Sequence, residues 1–556
     1  MMINIKKLIM RYKYKFLFVI LLTILISLIN TLLPYILKNA ISIAENANMF
    51  SEISNKIIII VITYMILSII CAIFEYIKEV SLAKNTQELT YEIRKKAYQK
   101  VISFNMDTFS NMHISTLITR MTADINNIGD FIGRILPMFI SSGIFLFVVL
   151  AVMCFINLYF ALVMIVFTLL LVVIMYKLGK KMEFYNKKSI ENTEKLNNYF
   201  GETFSGINTI NLFNIQKERE IELDNYNYEE TDIAKNYFKI QSFLKPAESM
   251  TKYSIITVIL YLCMQGKVAG VDIGIIYVVV SYIDKFFEPL AHTLYHYENL
   301  QQGIVSMKRI DELLSKREDF ENIYEGETAE KLDGNIRFKN VNFSYLENRP
   351  ILKNVNFSIN KGEKVALVGE TGAGKTTLVN LILGFYKIDS GNILFDGKNM
   401  SDISLESIRK NVSFIQQNPY IFDDTVKKNI IIDDCNKLSD AKIIDILKQV
   451  GLYEKINSFK SGIYEKVNDN MFSKGERQLL AFARAMAKET SIYIFDEPTS
   501  SIDIESEVQL KKAIDSLLID STVIIIAHRP TTIRDVNKIL KVENGNVFQI
   551  DESTIF

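Results

Sequence analysis

The hydrophobic residues are concentrated in the first 290 positions of the chain, where six long apolar runs follow one another. The runs cover residues 16–41, 57–77, 135–156, 158–178, 253–264 with flanks, and 273–290. A helix needs about 20 apolar residues to cross a hydrocarbon core of about 30 Å, and the fifth run is the weakest match to this length. One run would suit a buried helix of a soluble protein, but six in succession predict an all-α membrane domain with six spans.

Polar segments between the runs indicate how the domain is oriented. The stretch before the first run carries five basic and no acidic residues, which places the N-terminus in the cytoplasm of a multi-pass cell-membrane protein. The first run is too long for the core of a cleavable signal. Segments 78–134 and 179–250 then face the cytoplasm, and their helical periodicity predicts that they continue the membrane helices. Asn157, between the third and fourth runs, predicts the turn of a helical hairpin.

The composition changes after residue 310. Residues 311–333 are polar and predict a linker, and residues 334–556 predict an α/β domain, after a transmembrane domain at 1–310. The chain has 63 basic and 63 acidic residues and a net charge of zero, which argues against a basic nucleic-acid binder. Its four cysteines lie far apart and show neither zinc-ligand nor disulfide-scaffold spacing.

A phosphate-binding motif follows the strand KVALV and precedes an apolar helix. It reads Gly369-Glu370-Thr371-Gly372-Ala373-Gly374-Lys375-Thr376-Thr377. Its glycines let backbone N–H groups surround phosphate oxygens, and the helix dipole favours the anion. We expect Lys375 to reach the β- and γ-phosphates of ATP and the Thr376 hydroxyl to bind Mg²⁺.

A second nucleotide element ends the apolar strand that begins at residue 492. Asp496 and Glu497 follow four apolar residues, so their carboxylates emerge at the end of a buried parallel strand, where α/β sheets bind ligands. We expect Asp496 to hold Mg²⁺ through water and Glu497 to polarise the attacking water. A chain with six spans and these motifs is not a soluble P-loop ATPase.

These motifs, in this order, resemble those of the ATP-binding-cassette (ABC) exporters that carry a membrane domain and an ATPase domain on one chain. Further segments match the family: Arg120–Ile125 in the membrane half, Gln416–Pro419, the signature Phe472–Gln478, Glu497–Asp503 and Ile526–Arg529. The resemblance covers nearly the whole chain and implies a six-helix transmembrane domain followed by a P-loop ATPase domain.

The resemblance also implies roles for single residues. Tyr345 stacks on adenine, Gln417 binds ATP and Mg²⁺, and Asp503 lies beside the nucleotide. Glu497 and His528 are catalytic. Ser473 and Gly475 of the signature contact the γ-phosphate of ATP held by the opposite subunit. Because one chain carries one P-loop and one signature, a second half-transporter is required.

Two departures from the family pattern concern the signature region. Lys474 and Glu476 replace the usual Gly and Gln, which predicts weaker ATP binding at this signature. The preceding stretch 464–471 is shorter than in the family, which puts the usual contact with the cytoplasmic loops in doubt. Both a homodimer and a heterodimer remain open.

Several other features leave alternatives. In the sixth run Asp284, Lys285 and Glu288 contact a polar substrate or form a charge cluster within the helix. His292 and His296 suit polar packing better than a metal site, because no third ligand is evident.

The interpretation that follows is ATP-driven export of an unidentified substrate across the cell membrane. ATP binding closes the dimer, and segments 104–112 and 210–217 transmit the closure to the membrane helices. The alternative is a membrane regulator or channel that ATP switches without net pumping. The sequence does not predict nucleic acid as a partner.

Overall fold

The computed structural model describes residues 3–45, 50–110, 112–265, 272–295, 297–316, 326–328, 331–346, 349–432, 438–496, 521–527 and 536–551. The chain divides into two compact units, one of Met1–Val101 and Ile114–Lys316, the other of Ile102–His113 and Arg317–Phe556. The described part of the first unit is helical and that of the second combines strands with helices, so the predicted fold class is confirmed.

The helices of the first half are long and closely spaced along the chain. They are α1 (Ile3–Arg11), α2 (Lys13–Glu45), α3 (Phe50–Ile102), α4 (Met106–Ser110), α5 (Ile114–Thr119), α6 (Ile125–Asp130), α7 (Leu136–Ile156), α8 (Leu158–Ser205), α9 (Ile207–Phe213), α10 (Gln216–Met264), α11 (Ile273–Tyr295) and α12 (Tyr297–Ser315). Two π-helical turns, Arg120–Asp124 and Phe131–Ile135, connect α5, α6 and α7.

Three of these helices are much longer than a bilayer is thick. Helices α3, α8 and α10 contain 53, 48 and 49 residues. At 1.5 Å per residue each is roughly 70–80 Å long, against a hydrocarbon core of about 30 Å. The polar segments therefore continue the apolar helices, as predicted.

Four stretches of the described chain are long and apolar enough to cross a membrane. They are Lys13–Ile43, Lys56–Ile102, Ile114–Ile156 and Leu158–Ser205, and they contain the first four predicted spans. The fifth and sixth predicted spans lie in the last part of α10 and in α11, where the apolar run is short or carries charged residues. Six spans in total therefore stay a prediction.

The predicted hairpin between the third and fourth spans is confirmed. Asn157 alone separates α7 from α8 and has an extended backbone. Its side-chain oxygen accepts a hydrogen bond of 2.9 Å from the backbone N–H of Tyr159, which caps the start of α8.

Polar contacts join distant helices of the first unit. The Tyr282 hydroxyl of α11 donates to the Thr31 carbonyl of α2 at 2.5 Å. The buried Asp124 accepts a hydrogen bond of 2.8 Å from Ser306 of α12. Asp311, also on α12, accepts from the first backbone N–H groups of α1. Helix α12 is thus fixed to two other parts of the unit.

The second unit contains the strands. They are β1 (Ile336–Ser344), β2 (Pro350–Ile359), β3 (Lys364–Val368), β4 (Ser390–Phe395), β5 (Lys398–Asn399), β6 (Val412–Ile415), β7 (Asp424–Thr425), β8 (Lys466–Val467), β9 (Ile492–Asp496), β10 (Thr522–Ile526), β11 (Lys538–Glu543) and β12 (Asn546–Ile550). Its helices are α13 (Lys375–Ile382), α14 (Leu405–Asn411), α15 (Val426–Ile430), α16 (Asp440–Gln449), α17 (Tyr453–Asn457) and α18 (Lys474–Lys488).

The described strands form an antiparallel sheet in the order β2-β1-β4-β5 and a mostly parallel sheet in the order β12-β11-β3-β10-β9-β6, with a small β7-β8 ladder. In the parallel sheet, side chains alternate between two separate apolar cores. Val365 and Leu367 pack in the core that contains residues of α13, whereas Ala366 and Val368 pack in the core that contains residues of α18. The two helices therefore cover opposite faces of this sheet.

Candidate functional site

The strand order of the parallel sheet determines where the site lies. Strand β10 pairs in parallel with β3 on one side and with β9 on the other. The carboxyl ends of these three strands therefore meet at one edge of the sheet, where ligands bind in α/β folds. The loop 369–374 leaves β3 at this edge, and Asp496 is the last residue of β9.

The loop after β3 has the backbone conformation that its glycines predict. Gly372 and Gly374 have φ of 84° and 109°, in the left-handed region that favours glycine. Gly369 also has a positive φ, and a Cβ there would lie 2.3 Å from the Val542 carbonyl oxygen. Glycine is therefore required at Gly369 both for conformation and for close packing against β11.

Lys375 begins α13 and is nearly completely buried. Its ammonium group donates to the carbonyl oxygens of Gly369 and Glu370 at 2.7 and 2.8 Å. The ammonium thus lies inside the loop, where a nucleotide phosphate would meet it. The next residue, Thr376, exposes its side chain, whereas Thr377 is buried.

Tyr345 lies beside the same helix. Its hydroxyl donates to Thr377 Oγ1 at 3.3 Å and accepts from the Asn380 side chain at 3.3 Å. The ring packs edge-on against Phe343 and Tyr386, with centroid distances of 4.8 and 4.9 Å. It remains 37% exposed, which leaves ring surface accessible for stacking.

Apart from the signature residues Ser473 and Gly475, the remaining predicted ATP and Mg²⁺ residues lie at the same edge of the sheet or outside the described chain. Gln417 is exposed and follows β6, the neighbour of β9. Glu497, Asp503 and His528 lie outside the described residues. His528 follows directly on Ala527, whose backbone N–H donates to the Leu367 carbonyl of β3 at 3.1 Å.

The site residues fit Mg²⁺ in chemical type. The Thr376 hydroxyl, the Gln417 amide and the Asp496 carboxylate are oxygen ligands, which this hard cation prefers. Among the described residues there is no group of three or more His, Cys, Asp or Glu side chains that could bind a metal on their own. A metal here would share its coordination with phosphate oxygens and water, as Mg²⁺ does in nucleotide sites.

The altered signature forms a capped helix start. Ser473 is the N-cap of α18: its hydroxyl accepts from the Glu476 backbone N–H at 3.2 Å. The Glu476 carboxylate in turn accepts from the Ser473 backbone N–H at 2.7 Å and from Lys455 at 2.6 Å. The neighbouring Lys474 is exposed, and Gly475 is half-buried. Glu476, one of the two residues that depart from the family pattern, therefore completes a capping box with Ser473.

The charge of Glu476 is stabilised in this position. Burial by itself raises the pKa of Glu476, but hydrogen bonds from Lys455 and the Ser473 backbone outweigh it, and the pKa lies below its ordinary value. The carboxylate also lies at the positive end of the helix dipole. Sequence reasoning identifies the substitution but misses Lys455, because 21 residues separate the pair.

The short stretch 464–471 is fixed by polar contacts within the second unit. The Tyr464 hydroxyl donates to Asp440 at 2.5 Å, and the same carboxylate pairs with Lys427 at 2.6 Å. Asp469 pairs with Arg477 of α18. The stretch is thus ordered by its own unit, and its effect on the contact with the cytoplasmic loops stays a prediction.

An anchor that the sequence does not predict joins α18 to the segment after β6. Arg484 donates to the carbonyl oxygens of Tyr420 and Asn429 at 2.6 and 2.5 Å and to the Asn429 side chain at 2.8 Å. Asn429 is completely buried and also exchanges hydrogen bonds with the Phe422 backbone. Burial lowers the pKa of Arg484 to about 10, far enough above neutral pH that it stays charged.

The same helix also contacts the residue that directly follows β6. Gln478 of α18 donates to the Gln416 carbonyl at 3.4 Å, one residue before Gln417. Helix α18 therefore joins the signature, at its N-terminus, to the segment that carries Gln417.

The two segments predicted to transmit motion differ in their surroundings. Segment 104–112 contains α4 and groups with the second unit, in which Phe104 is buried and the hydroxyls of Ser110 and Tyr386 form a hydrogen bond. In α9, by contrast, Leu212 and Phe213 are exposed. Transmission through these segments stays a prediction.

Two of the charged residues of the sixth predicted span, Asp284 and Lys285, contact different helices. Asp284 forms an ion pair with Lys252 of α10. Lys285 instead donates to the Asn30 carbonyl of α2 at 3.0 Å. The side chains of Glu288, His292 and His296 lie outside the described part of the structure.

Comparison with known proteins identifies the family. Residues 16–290 match the model of the ABC transporter transmembrane region, and residues 352–500 match the model named ABC transporter. A putative ABC transporter ATP-binding protein, exp8 of Streptococcus pneumoniae serotype 4, is 30% identical over 512 residues, which cover 90% of this chain and 86% of the relative. The chain belongs to the ABC transporter family.

Other relatives carry the same two domains on one chain. A probable multidrug resistance ABC transporter ATP-binding/permease protein, YheH of Bacillus subtilis strain 168, is 29% identical over 90% of this chain and 74% of its own length. The fold matches that of a bacterial Atm1-family ABC exporter with ATP bound, at a TM-score of 0.80 and 21% identity over 98% of this chain and 96% of that one.

The family assignment confirms the main interpretation from the sequence. This ABC transporter is a multi-pass membrane protein of the exporter type that binds and hydrolyses ATP. Its single membrane domain and single ATPase domain are those of a half-transporter.

Proposed function

We propose that two half-transporters, each with one membrane domain and one ATPase domain, form a dimer that uses ATP·Mg²⁺ to export an amphiphilic organic compound. The observation that supports this most directly is the meeting of the β3, β9 and β10 carboxyl ends at one sheet edge. This order brings together the phosphate loop, Asp496 and the chain leading to His528. The name of the YheH relative, a probable multidrug resistance transporter, favours a small amphiphilic substrate.

In this proposal the residues of one chain divide between two ATP sites. Loop residues 369–377 hold the phosphates, Lys375 neutralises their charge, and Tyr345 stacks on the base. Bound Mg²⁺ would supply charge neutralisation at the β- and γ-phosphates, next to Thr376, Gln417 and Asp496. Ser473 and Gly475 serve the site of the opposite subunit, in keeping with the placement of α13 and α18 on opposite sheet faces.

Hydrolysis resets the transporter. Glu497 orients and polarises the attacking water, and His528 contacts the γ-phosphate end of the nucleotide. Closure of the ATPase domains moves the cytoplasmic extensions of the long helices and opens the membrane domains outward. The N-terminus and the ATPase domain lie on the cytoplasmic side, as the five basic residues before the first span favour.

The test separates nucleotide binding from turnover. In the purified complex, Glu497→Gln should bind a fluorescent ATP analogue with native affinity but lose nearly all phosphate release and all ATP-driven uptake of a fluorescent amphiphile into inside-out vesicles. Glu406→Gln, an exposed carboxylate on α14, is the matched control. Native turnover in Glu497→Gln would contradict the assignment.

The partner is tested separately. Co-expression of two differently tagged copies of this chain should yield a complex carrying both tags if a second copy is the partner. If instead a different half-transporter co-purifies in equal amount, the dimer is a heterodimer. A monomer with full ATPase activity would contradict the proposal that the transporter works as a dimer.

A further inference from the structure

A groove of about 430 Å³ lies between α8 and α10, just beyond the end of the fourth predicted span. It is lined by Lys180, Lys181, Phe184 and Tyr185 of α8 and by Asn236, Lys239 and Ile240 of α10. The described lining therefore combines three lysines with two aromatic rings and contains no acidic side chain. Its volume is in the range of small-molecule sites, about 300–1,000 Å³, and is large enough for a phosphate group with its substituents.

The packing of two distant segments creates the groove. Lys180 and Lys239 are 59 residues apart in the sequence. Helices α8 and α10 pack in opposite directions, because Ser189 donates to Glu230 at 2.6 Å, whereas Tyr199, further along α8, donates to the carbonyl of Arg219, earlier on α10. This arrangement brings the basic parts of both helices together.

The groove belongs to a strongly basic region. Segment 177–188 of α8 contains five lysines and one glutamate, and segment 235–245 of α10 contains three lysines and no acidic residue. Clusters of four to eight basic residues directly cytoplasmic of a membrane helix are typical of proteins that bind anionic lipids. The charge of the region therefore favours an anionic partner.

The positive charges of the groove are not neutralised by carboxylates. In the described part of the chain, Lys181 and Lys239 form no ion pair. Lys180 lies over the ring of Tyr176, with its ammonium 4.8 Å from the centroid, and a neutral phenol leaves its charge in place. Glu183, the one acidic residue of segment 177–188, is ion-paired with Lys187 at 2.8 Å.

The nearest acidic residues of α10 are also engaged elsewhere. Asp232, one turn before Asn236, accepts a hydrogen bond of 3.3 Å from its side chain and does not line the groove. Glu230 accepts hydrogen bonds from Ser189 and from Asn192 of α8. The groove therefore keeps a net positive charge.

The groove lies at the level of the lipid headgroups. Lys180 and Lys181 are two and three residues past the end of the fourth predicted span at residue 178, which corresponds to roughly 3–5 Å along the helix axis. A headgroup layer is about 5–8 Å thick on each side of the hydrocarbon core. Tyr176, two residues before this end, lies where tyrosine is enriched in membrane proteins.

The orientation of the protein in the membrane accounts for basic residues but not for a groove that collects them. Charges that only fix the topology need no common pocket, since their effect depends on their number near the span. Here lysines from two helices surround one volume beside the exposed ring of Phe184. Basic pockets between membrane helices on the cytoplasmic side are typical sites for anionic lipid headgroups.

We propose that this groove binds the headgroup of an anionic phospholipid from the adjacent leaflet, which is the cytoplasmic one in the proposed topology. The three lysines pair with the phosphodiester, and Phe184 and Ile240 contact the glycerol and the first methylene groups of the lipid. The site depends on the proposed membrane topology for its leaflet and does not depend on export.

The test compares an anionic lipid with a zwitterionic lipid of the same acyl chains. The purified full-length complex is titrated in detergent with dioleoyl phosphatidylglycerol and, separately, with dioleoyl phosphatidylcholine, and native mass spectrometry gives the affinity for each lipid. One basic residue near an anionic surface strengthens binding by about fivefold, so three predict a preference for phosphatidylglycerol of about 100-fold. In Lys180→Gln/Lys181→Gln/Lys239→Gln, phosphatidylglycerol should bind at least about tenfold more weakly, and phosphatidylcholine should bind as before.

Two matched variants separate the groove from the overall charge. Replacement of the same three lysines by arginine keeps the charges and should retain the preference for phosphatidylglycerol. Lys84→Gln/Lys195→Gln/Lys217→Gln removes three exposed lysines of the long helices outside the groove and should also retain it. A loss below tenfold in the groove variant, or an equal loss in this control, would overturn the proposal. If the groove variant does not fold, a native preference below tenfold would overturn it.

Additional measurements separate a lipid site from a site for soluble phosphate, and lipid binding from export. Millimolar glycerol 3-phosphate should not displace bound phosphatidylglycerol, and displacement would overturn the lipid assignment. ATP-driven uptake of a fluorescent amphiphile is measured in vesicles of phosphatidylcholine alone. Uptake there without any preference for phosphatidylglycerol would reject only the lipid site. A lysine-dependent preference without uptake would reject only the export function.

Discussion

The Arg484 anchor gives the sharpest test of how the ATPase domain is held together. Its guanidinium group uses Nη1 for the Tyr420 carbonyl, Nε for the Asn429 carbonyl and Nη2 for the Asn429 side chain. The Arg484→Lys variant keeps the charge but replaces this fork with a single ammonium, which cannot reach all three acceptors. The change therefore isolates the geometry of the interaction from its charge.

The magnitude follows from the hydrogen bonds that a lysine at this position cannot make. A hydrogen bond to a charged group contributes about 1.5–3 kcal/mol, and at least one of the two backbone carbonyls is left without its donor. We expect local opening of residues 418–432 to become about 2–3 kcal/mol easier. Because 1.4 kcal/mol is a factor of about ten, the amide hydrogens of this segment should exchange roughly 30–150 times faster.

The assay is hydrogen exchange with mass spectrometry on the full-length complex, combined with steady-state ATPase kinetics. Since α18 joins the signature to the segment of Gln417, the loosened segment should lower kcat about tenfold and leave KM for ATP nearly unchanged. Arg337→Lys, on the exposed side of β1, is the matched control. If the Arg484→Lys variant kept native hydrogen exchange in segment 418–432 and native kcat, the inferred role of Arg484 as an anchor would be refuted.

Three other changes test the remaining site and the membrane unit. Lys375→Ala should abolish detectable binding of a fluorescent ATP analogue together with turnover, and retention of both would show that the phosphate loop is misassigned. Ser306→Ala removes the hydrogen bond to Asp124 and should cost about 1 kcal/mol, seen as a lower thermal unfolding midpoint of the complex; an unchanged midpoint would show that this hydrogen bond does not stabilise the fold. The pKa of Glu476 is lowered in the folded state, so its pairing with Lys455 stabilises fully above about pH 4.5 and is lost as the pH falls through the lower folded value. The native complex should therefore unfold at a higher temperature than Glu476→Gln at pH 7, with a difference that shrinks on acidification, and a difference independent of pH would contradict the ion pair.

The features that the sequence predicts well are local or periodic. Apolar runs identify spans, because the thickness of the bilayer fixes the length of a helix that crosses it. The glycines of the phosphate loop and the strand before Asp496 are equally local, since a turn and a buried strand impose their residue types directly. Both signals need only a few neighbouring residues.

The interactions that the sequence misses join residues that are far apart. Arg484 lies 55 residues from Asn429, and at its position on α18 it resembles any charged residue of a helix. Lys285 and Asp284 are adjacent in the sequence, which suggests that they belong together. On a helix, however, the side chains of successive residues point about 100° apart. The two therefore meet different helices, and only the folded arrangement shows that Lys285 shares a cavity with Lys78.

The structure changes the meaning of the Glu476 substitution. From the sequence, the acidic Glu476, together with Lys474, predicts weaker ATP binding at this signature. In the fold, the carboxylate is engaged by the Ser473 backbone and by Lys455, so its charge is compensated locally. The Glu476 carboxylate therefore makes one hydrogen-bond donor, the Ser473 backbone N–H, unavailable to an incoming phosphate. The Ser473 hydroxyl proton and the Gly475 backbone N–H remain available at the helix start. A signature of this kind should bind the opposing nucleotide with a modest loss in affinity, because losing one hydrogen bond costs far less than facing an uncompensated charge.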